Sequence, residues 1–244
     1  MKNLVFCNLF YSGSSAIVPI LEDYLRTTHV NVLNYGPEST RRLVDDPPPG
    51  PYFHWTHNNS DFFIPFFERE EVSIVFLQRD PRDVAISYLE DHIFRGIVDR
   101  AKLRETLHGL AYGNFANTIR EACKWVALAQ ERPIKVIKFD ELKQDTVGVT
   151  LDVLEFYGFT RDPELEQKIR SLYDTKYSFE AMSNRPRGSD GEMVRNRYIV
   201  RKGVSGEWRR LFSPEALESW DKELGAEIAL LGYEPCLPRT VDGV

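Results

Sequence analysis

The sequence lacks the features of a membrane-spanning or secreted protein. None of its 244 residues lies in an apolar stretch long enough to span a bilayer. The apolar stretch near Met1 ends before Tyr11, which is too early for the core of a signal peptide. The three cysteines, Cys7, Cys123 and Cys236, lie far apart and without the spacing of metal ligands, as is typical of a reducing compartment. The sequence therefore predicts a cytoplasmic protein without a membrane partner.

An excess of positive charge is also lacking. There are 31 Lys and Arg against 37 Asp and Glu, a net charge of -6, which argues against nucleic acid as a partner. Against this acidic background, the segment from Arg185 to Lys202 carries six basic residues and only two acidic ones. Much of it, Met182 to Tyr198, has the polar, aperiodic composition of a loop. This segment is therefore expected to be an anion site or an exposed arm.

Short apolar runs alternate with helical patterns along the chain. The predicted strands are Leu4–Phe10, Val30–Leu33, Tyr52–Thr56, Val72–Leu77 and Ile134–Phe139. This alternation predicts an α/β fold with three α/β/α layers around a central parallel sheet, an architecture shared with P-loop proteins. No internal repeat or long linker divides residues 1–244, so a single domain is expected.

Capping residues indicate where the helices begin and end. The predicted helices run from the YSGSSA loop to about Leu25, from Pro81 to about Phe94, from about Gly113 to Ala129, from FDEL to Gly158, from Pro163 onward, and from Pro214 to near Gly232.

Two strand ends carry groups that suit an anion. After the first strand, the N–H groups of Gly13, Ser14 and Ser15 at a helix N-terminus can form an anion cradle. Arg79 follows the fourth strand, at the edge of the sheet where α/β proteins bind ligands, and Ser87 lies about two turns into the next helix. Alone, each is explained equally well by a serine-capped turn or a solvated arginine. With Arg201 and Lys202, they suit a ligand that carries two phosphate-type groups.

These motifs resemble the cytosolic-type sulfotransferases, which use 3′-phosphoadenosine 5′-phosphosulfate (PAPS). The specific matches are RDPRDVAIS at residues 79–87 and RKGVSGEW at residues 201–208, with YSGSSA in the place of the phosphosulfate loop. The shorter motifs WTH (55–57), FDEL (139–142) and SFEAM (178–182) also occur in the expected order. The resemblance covers roughly Leu4 to Tyr233.

The resemblance implies a set of residues for each part of the cofactor. The 3′-phosphate of PAPS, and of its product adenosine 3′,5′-bisphosphate (PAP), is expected to bind Arg79, Ser87, Arg201, Lys202 and Gly203. The 5′-phosphosulfate is expected to lie in a cradle of Ser12, Gly13, Ser14 and Ser15. The adenine is expected to contact Phe139 and Phe179.

Catalysis is expected to use His57 as the general base. It would take the proton of an acceptor hydroxyl or amine while that group attacks sulfur in line, with no metal required. A histidine suits this task because its ordinary pKa of about 6.5 lies close to working pH. On sequence alone, His57 is also explained as a strand-end histidine bonded to a backbone carbonyl.

Two positions depart from the family pattern. The family loop normally carries a basic residue where this chain has Tyr11, and Lys often stands where this chain has Trp55. Both changes affect transition-state electrostatics, usually the largest catalytic effect. Tyr11 is thus expected to act as a neutral catalytic donor. The alternative is a protein that binds PAPS or PAP with little or no catalysis.

A P-loop kinase shares the predicted architecture, but the loop lacks both the first Gly and the Lys of GxxxxGK[ST]. The acceptor is expected to be a small molecule. The aromatic stretch Asn58–Phe67, with Tyr88, Phe94, Tyr112 and Phe115, could form an apolar or aromatic pocket for it, although core packing explains these rings equally well. The sequence indicates neither the acceptor's identity nor an oligomeric state.

Overall fold

A computed structural model of the chain describes residues 3–33, 41, 43, 45–57, 59–66, 69, 71–178, 180–181 and 203–237. Three predicted cofactor residues, Phe179, Arg201 and Lys202, lie outside the described residues, as does the segment from Met182 to Tyr198. The chain divides into two compact units. The first comprises Met1–Gln78 and Leu128–Gly203, and the second comprises Arg79–Ala127 and Val204–Val244. A single domain stays a prediction.

The first unit contains a sheet that has five parallel strands within the described residues. The strands are β1 (Asn3–Asn8), β2 (Asn31–Val32), β3 (Tyr52–Thr56), β4 (Val72–Gln78) and β5 (Ile134–Lys138), in the order β2-β3-β1-β4-β5. All seven residues of β4 are buried, in accordance with its nearly continuous apolar sequence. The parallel sheet predicted from the sequence is confirmed.

Among the helices whose bounds the structure describes, all follow the strands as the sequence predicts, with two additions. They are α1 (Val18–Leu25), α2 (Pro81–Phe94), α3 (Leu103–Gly109), α4 (Asn114–Glu131), α5 (Phe139–Gln144), α6 (Thr146–Tyr157), α7 (Pro163–Leu172), α8 (Trp208–Leu211) and α9 (Pro214–Leu230). Short 3₁₀ helices occupy Ser14–Ala16, Ser60–Phe66 and Arg100–Lys102, and a π-helical turn occupies Tyr173–Tyr177. In the part of the chain that the structure describes, no helix is long and apolar enough to cross a membrane.

Side-chain caps explain where four of the helices begin. Asp80, Asp162 and Ser213 each accept a hydrogen bond from a backbone N–H in the first turn of α2, α7 and α9. Gly158 ends α6 in the left-handed conformation, with φ of 104°. The continuous helix expected from FDEL to Gly158 is divided at Asp145, whose side chain caps α6 by accepting from the N–H of Gly148.

Some bounds of the predicted elements are wrong. The first strand ends at Asn8 rather than Phe10, and Phe139 opens α5 instead of closing β5. The short helices α3 and α8 were not predicted. Helix α3 buries only Leu103 and Leu107, which are too few apolar residues to give a visible helical period.

One core cluster of the first unit lies on the sheet face that carries Leu4 and Phe6. Leu4 and Phe6 of β1 point toward α1, α5, α6 and α7, and both are fully buried. Each apolar side chain buried in this way contributes about 1.5–3 kcal/mol. This packing fixes the strand ends of β1 and β3, from which the candidate site of this unit is built.

Candidate functional site

The loop after β1 contains an unusual backbone conformation at Tyr11. The N–H of Ser12 donates to the carbonyl oxygen of Leu9 at 3.3 Å, which closes a tight turn. Within this turn, Tyr11 has a φ of 64° and is the one non-glycine residue with positive φ among those described. A left-handed conformation costs a side-chain-bearing residue about 1–2 kcal/mol. The loop therefore holds Tyr11 in a strained conformation at the predicted phosphosulfate site.

Gly13 of this loop lies in close contact with Phe139, the first residue of α5. Gly13 has a φ of 96°, and a Cβ atom placed on it would lie 2.3 Å from Cε2 of Phe139. Only glycine lets the loop lie this close to the ring. The ring itself is buried in the core of the first unit. The ring of Phe139 packs against the loop at Gly13. Its contact with adenine stays a prediction.

His57 lies directly after β3 and is held by a backbone group at the end of β1. Its Nδ1 atom lies 2.8 Å from the carbonyl oxygen of Asn8. A carbonyl oxygen can only accept, so Nδ1 carries the proton and, in the neutral ring, Nε2 carries the lone pair. Burial lowers the pKa of His57, and the bond to Asn8 opposes this effect in part. The backbone bond considered as an alternative to catalysis is present, and it selects the tautomer that a base requires.

Two aromatic rings enclose His57. The ring of Phe10 packs against it with centroids 4.3 Å apart, and Trp55 meets it edge-on at 5.0 Å. The indole Nε1 of Trp55 donates to the side-chain oxygen of Asn8 at 2.6 Å. Asn8 therefore contacts both His57 and its neighbour, a role that sequence reasoning missed because no motif includes this residue.

The second unit holds the Arg79 part of the predicted cofactor site. The NH1 group of Arg79 donates to the hydroxyl of Ser87 at 3.1 Å, and NH2 donates to the carbonyl oxygen of Val204 at 3.1 Å. The predicted convergence of the Arg79 and Ser87 side chains is thus present. The guanidinium group is oriented by two neutral acceptors, and its positive charge is compatible with an incoming phosphate.

The two sequence motifs RDPRDVAIS and RKGVSGEW contact each other in the second unit. The carboxylate of Asp83 accepts from the N–H of Gly206 at 2.6 Å and from the N–H of Trp208 at 3.2 Å. The guanidinium of Arg82 lies over the Trp208 ring, 3.6 Å from its centroid. Sequence reasoning assigned no role to Arg82, although it lies within the motif RDPRDVAIS.

In the first unit, a basic residue lies close to Gly203. Gly203 has a φ of 55°, and a Cβ atom on it would lie 4.0 Å from Nζ of Lys143 in α5. No motif singled out in the sequence includes this lysine. Among the described residues, no group of three or more His, Cys, Asp or Glu side chains could hold a metal ion.

The aromatic stretch after His57 divides between core and surface. Phe63 and Phe66 are 0% and 1% exposed, so they belong to the core, as the alternative interpretation held. Ile64 is 58% exposed, and Phe10, beside His57, is 57% exposed. Both side chains are exposed apolar groups that an acceptor could contact.

Comparison with known proteins identifies the family. A family model described as "Sulfotransferase domain" matches residues 8–232. The chain belongs to the sulfotransferase family. Its curated relatives in this family include Sulfotransferase 2A1 from Homo sapiens, 27% identical over 185 residues, which cover 73% of this chain and 64% of the relative. The 3-beta-hydroxysteroid sulfotransferase from Cavia porcellus is 24% identical over 197 residues, which cover 77% of this chain and 66% of the relative. The chain thus spans slightly less than two thirds of the length of these relatives.

Solved sulfotransferase structures share the fold. The mouse sulfotransferase SULT7A1 complexed with PAP superposes with a TM-score of 0.69 at 19% identity, over 99% of this chain and 85% of that one. Retinol dehydratase in complex with androsterone and inactive cofactor PAP gives a TM-score of 0.59 at 19% identity, over 98% and 83% of the two chains. These likenesses confirm the predicted fold class, a central parallel sheet flanked by helices in the three-layer, P-loop-like arrangement.

Proposed function

We propose that the chain transfers a sulfuryl group from PAPS to a hydroxyl or amine of a small-molecule acceptor, with PAP as the second product. Membership of the sulfotransferase family supports the reaction class. The observation that carries the catalytic part of the proposal is the hydrogen bond from Nδ1 of His57 to the carbonyl oxygen of Asn8. Because Nδ1 carries the proton, the lone pair of the neutral ring is on Nε2, where it can accept the proton of an acceptor. The PAP complexes of the structural neighbours support the choice of cofactor.

The residues present suit the two phosphate ends of PAPS. Arg79 supplies a fixed guanidinium for the 3′-phosphate, and Ser87 supplies a hydroxyl bonded to it at 3.1 Å. Arg201, Lys202 and Gly203 complete this set in the proposal. The loop from Ser12 to Ser15 supplies backbone N–H and hydroxyl donors for the 5′-phosphosulfate. When bound, PAPS supplies the sulfuryl group that the acceptor receives.

His57 is the proposed general base. Its Nε2 atom takes the proton from the acceptor oxygen or nitrogen, so that this atom can form its bond to sulfur. Burial, which lowers the pKa of His57, keeps the ring neutral and able to accept a proton at neutral pH. The rings of Phe10 and Trp55 restrict its movement.

Tyr11 is the proposed donor to the leaving phosphate. Its phenol can donate one hydrogen bond where most members of the family carry a cation, and a neutral bond is roughly half as strong. The strained φ of 64° supports a functional role, since strain of this kind clusters at active sites. Lys143, near Gly203, is a further cation within the first unit, although the proposal assigns it no catalytic step.

A second candidate function is the binding of PAPS or PAP with little or no transfer. The observation in its favour is the same Tyr11, together with Trp55, whose indole is committed to Asn8. In this case His57 would serve as a structural residue at the end of β3. Turnover measurements separate the two functions.

The proposed acceptor is a small molecule with an apolar or aromatic body. The exposed ring of Phe10 beside His57 and the exposed side chain of Ile64 support this choice. The name of the Cavia porcellus relative, a 3-beta-hydroxysteroid sulfotransferase, is consistent with an apolar acceptor that presents a hydroxyl group.

Calorimetry with PAP and with ATP tests the cofactor assignment. We expect clear preference for PAP, and Arg79→Ala or Arg201→Ala should cost about 1.5–3 kcal/mol of PAP binding, the range for bonds to charged groups. Arg161→Ala is the control, since this exposed arginine pairs with Asp152 on the surface. Equal affinity for PAP and ATP would overturn the assignment. A screen of phenols, alcohols and amines with labelled PAPS then separates a working enzyme from a binding protein.

A further inference from the structure

The side chain of Asn8, the last residue of β1, is bonded through both of its polar atoms. The residue is 1% exposed. Its Nδ2 atom donates to the carbonyl oxygen of Leu9 at 2.7 Å, and its Oδ1 atom accepts from Nε1 of Trp55 at 2.6 Å. An indole N–H can only donate and a carbonyl oxygen can only accept, so this position requires a donor and an acceptor on one short side chain. Asparagine supplies both, whereas an ionised aspartate lacks the donor and alanine lacks both groups.

The bond to Leu9 connects Asn8 with the turn that contains Tyr11. The carbonyl oxygen of Leu9 accepts from Nδ2 of Asn8 and also from the N–H of Ser12, which closes the turn. Tyr11, with its φ of 64°, lies inside this turn. Because two donors bond one carbonyl oxygen, they restrict the rotation of the peptide group after Leu9. The side chain of Asn8 therefore helps to set the direction in which the chain leaves β1.

The bond to Trp55 connects Asn8 with β3. The ring of Trp55 meets the ring of His57 edge-on, with centroids 5.0 Å apart, and Nδ1 of His57 lies 2.8 Å from the carbonyl oxygen of Asn8. The three residues thus form a closed set of three contacts. The paired residues of β1 and β3 end at Cys7 and Thr56. The set therefore holds His57 just beyond the point where the pairing of the two strands ends.

We propose that Asn8 is a positioning residue for His57. Its side chain joins the turn at Tyr11 to Trp55, and so fixes the direction in which its own carbonyl oxygen meets Nδ1 of His57. Its role in catalysis rests on the proposed function, in which Nε2 of His57 accepts a proton, whereas its hold on the ring does not. Without the Asn8 side chain, the proton of the neutral ring should divide between the two nitrogens.

The test of this hold is the tautomer of His57, measured by ¹⁵N NMR on protein labelled in its histidines, at a pH where the ring is neutral. We expect wild type to carry the proton on Nδ1. In Asn8→Ala, the Nδ1 and Nε2 resonances should shift toward each other, since the proton then exchanges between them. The control is Asn3→Ala at the opposite end of β1, because Asn3 also bonds β3 and accepts from the N–H of Tyr52 at 3.1 Å. It should keep the wild-type resonances.

Two acceptors, phenol and 4-nitrophenol, test whether this tautomer serves catalysis. Phenol keeps its proton at neutral pH and requires a base, whereas 4-nitrophenol is largely ionised and does not. With labelled PAPS, kcat for phenol should fall about ten- to a hundredfold in Asn8→Ala, since a misplacement of about 1 Å can cost a factor of about a hundred. For 4-nitrophenol, kcat should stay within about twofold of wild type, and Asn3→Ala should change neither rate.

Each outcome decides a separate point. The wild-type tautomer in Asn8→Ala would overturn the positioning role. If that variant does not fold, Trp55→Phe is measured in its place, since it removes only the Nε1 donor to Asn8, and an unchanged tautomer overturns the role there too. A changed tautomer with equal losses for both acceptors would support the hold on His57 and overturn its use as a base. If wild type sulfates neither acceptor, the tautomer still decides the role of Asn8. A wild-type proton on Nε2 would overturn both proposals.

Discussion

The carbonyl oxygen of Asn8 lies 2.8 Å from Nδ1 of His57, and the register of the sheet explains this contact. Cys7 of β1 pairs with Thr56 of β3, so the next residues, Asn8 and His57, lie level at the carboxyl ends of neighbouring strands. Ligands of α/β proteins bind at this edge of the sheet. The sheet itself therefore orients the proposed base.

Replacing His57 by Ala should abolish transfer to an acceptor and leave PAP affinity nearly unchanged, because a base acts on the acceptor and not on the bisphosphate. Burial lowers the pKa of His57 below the ordinary value, so Nε2 becomes protonated, and the wild-type rate falls, only at a lower pH than for an ordinary histidine. The pH dependence of kcat measures this limit. The exposed His29 supplies the control His29→Ala. Retained turnover in His57→Ala would move the search for a base to His92 and His108.

Replacing Tyr11 by Phe should lower kcat about ten- to a thousandfold with little effect on PAP affinity, if its hydroxyl is a principal donor to the leaving phosphate. Tyr157→Phe removes a hydroxyl that donates to the carbonyl oxygen of Tyr52 in the first unit and should not change the rate. Tyr11→Lys should raise kcat above wild type, since a cation replaces a neutral donor. Steady-state kinetics on the three variants checks these expectations. Equal rates for Tyr11→Phe and wild type would show that the Tyr11 hydroxyl has no catalytic role.

Replacing Gly13 by Ala should destabilise the protein through two effects. A left-handed Ala costs about 1–2 kcal/mol, and the contact with Phe139 adds an overpacking cost of about 1–3 kcal/mol. Gly50→Ala is the matched control, because Gly50 has a φ of 81° but nothing within 4 Å of a new Cβ atom. Urea unfolding should give a larger loss for Gly13→Ala, and PAP affinity should fall only in that variant. Equal losses would show that the ring of Phe139 moves away without cost.

Acid should destabilise the first unit through His54, a fully buried residue of β3. Burial lowers the pKa of His54 to about 4, against about 6.5 for an unfolded chain. Between these two pKa values, His54 binds a proton in the unfolded state but not in the folded state. The free energy of unfolding therefore falls as the pH drops from about 6.5 to 4, by at most about 3 kcal/mol. Urea unfolding across this pH range should show a smaller loss for His54→Gln. Parallel curves for the two proteins would exclude His54 as the cause.

The sequence predicted what local chemistry determines. Strand β3 was predicted with the observed bounds because it is a short run of residues between turn formers, and α2 because Asp80 and Pro81 form a strong helix start. Arg79 and Ser87, which the family resemblance grouped at one phosphate, lie only eight residues apart, and their side chains bond each other. Signals of this kind lie within a few turns of the chain and need no tertiary contact.

What the sequence could not predict depends on contacts between distant residues. The side-chain oxygen of Asn8 accepts a hydrogen bond from Trp55, which lies 47 residues later in the chain. The residues around Asn8 contain no motif that predicts this contact. The positive φ at Tyr11 is set by the turn that leaves β1, at a residue type that normally avoids it. A glycine or asparagine at position 11 would have predicted such a turn, whereas a tyrosine does not.

The contacts of α2 with the loop at Gly206 and Trp208 also set an order of folding. Asp83 and Trp208 are separated by 125 positions, and during synthesis α2 emerges from the ribosome long before its partner loop. Until that loop arrives, the carboxylate of Asp83 and the charge of Arg82 remain hydrated, and closing so long a loop is slow. The second unit is therefore completed late. A nascent chain stalled before Trp208 contains the residues of all five strands but lacks the residue whose ring and N–H group contact Arg82 and Asp83.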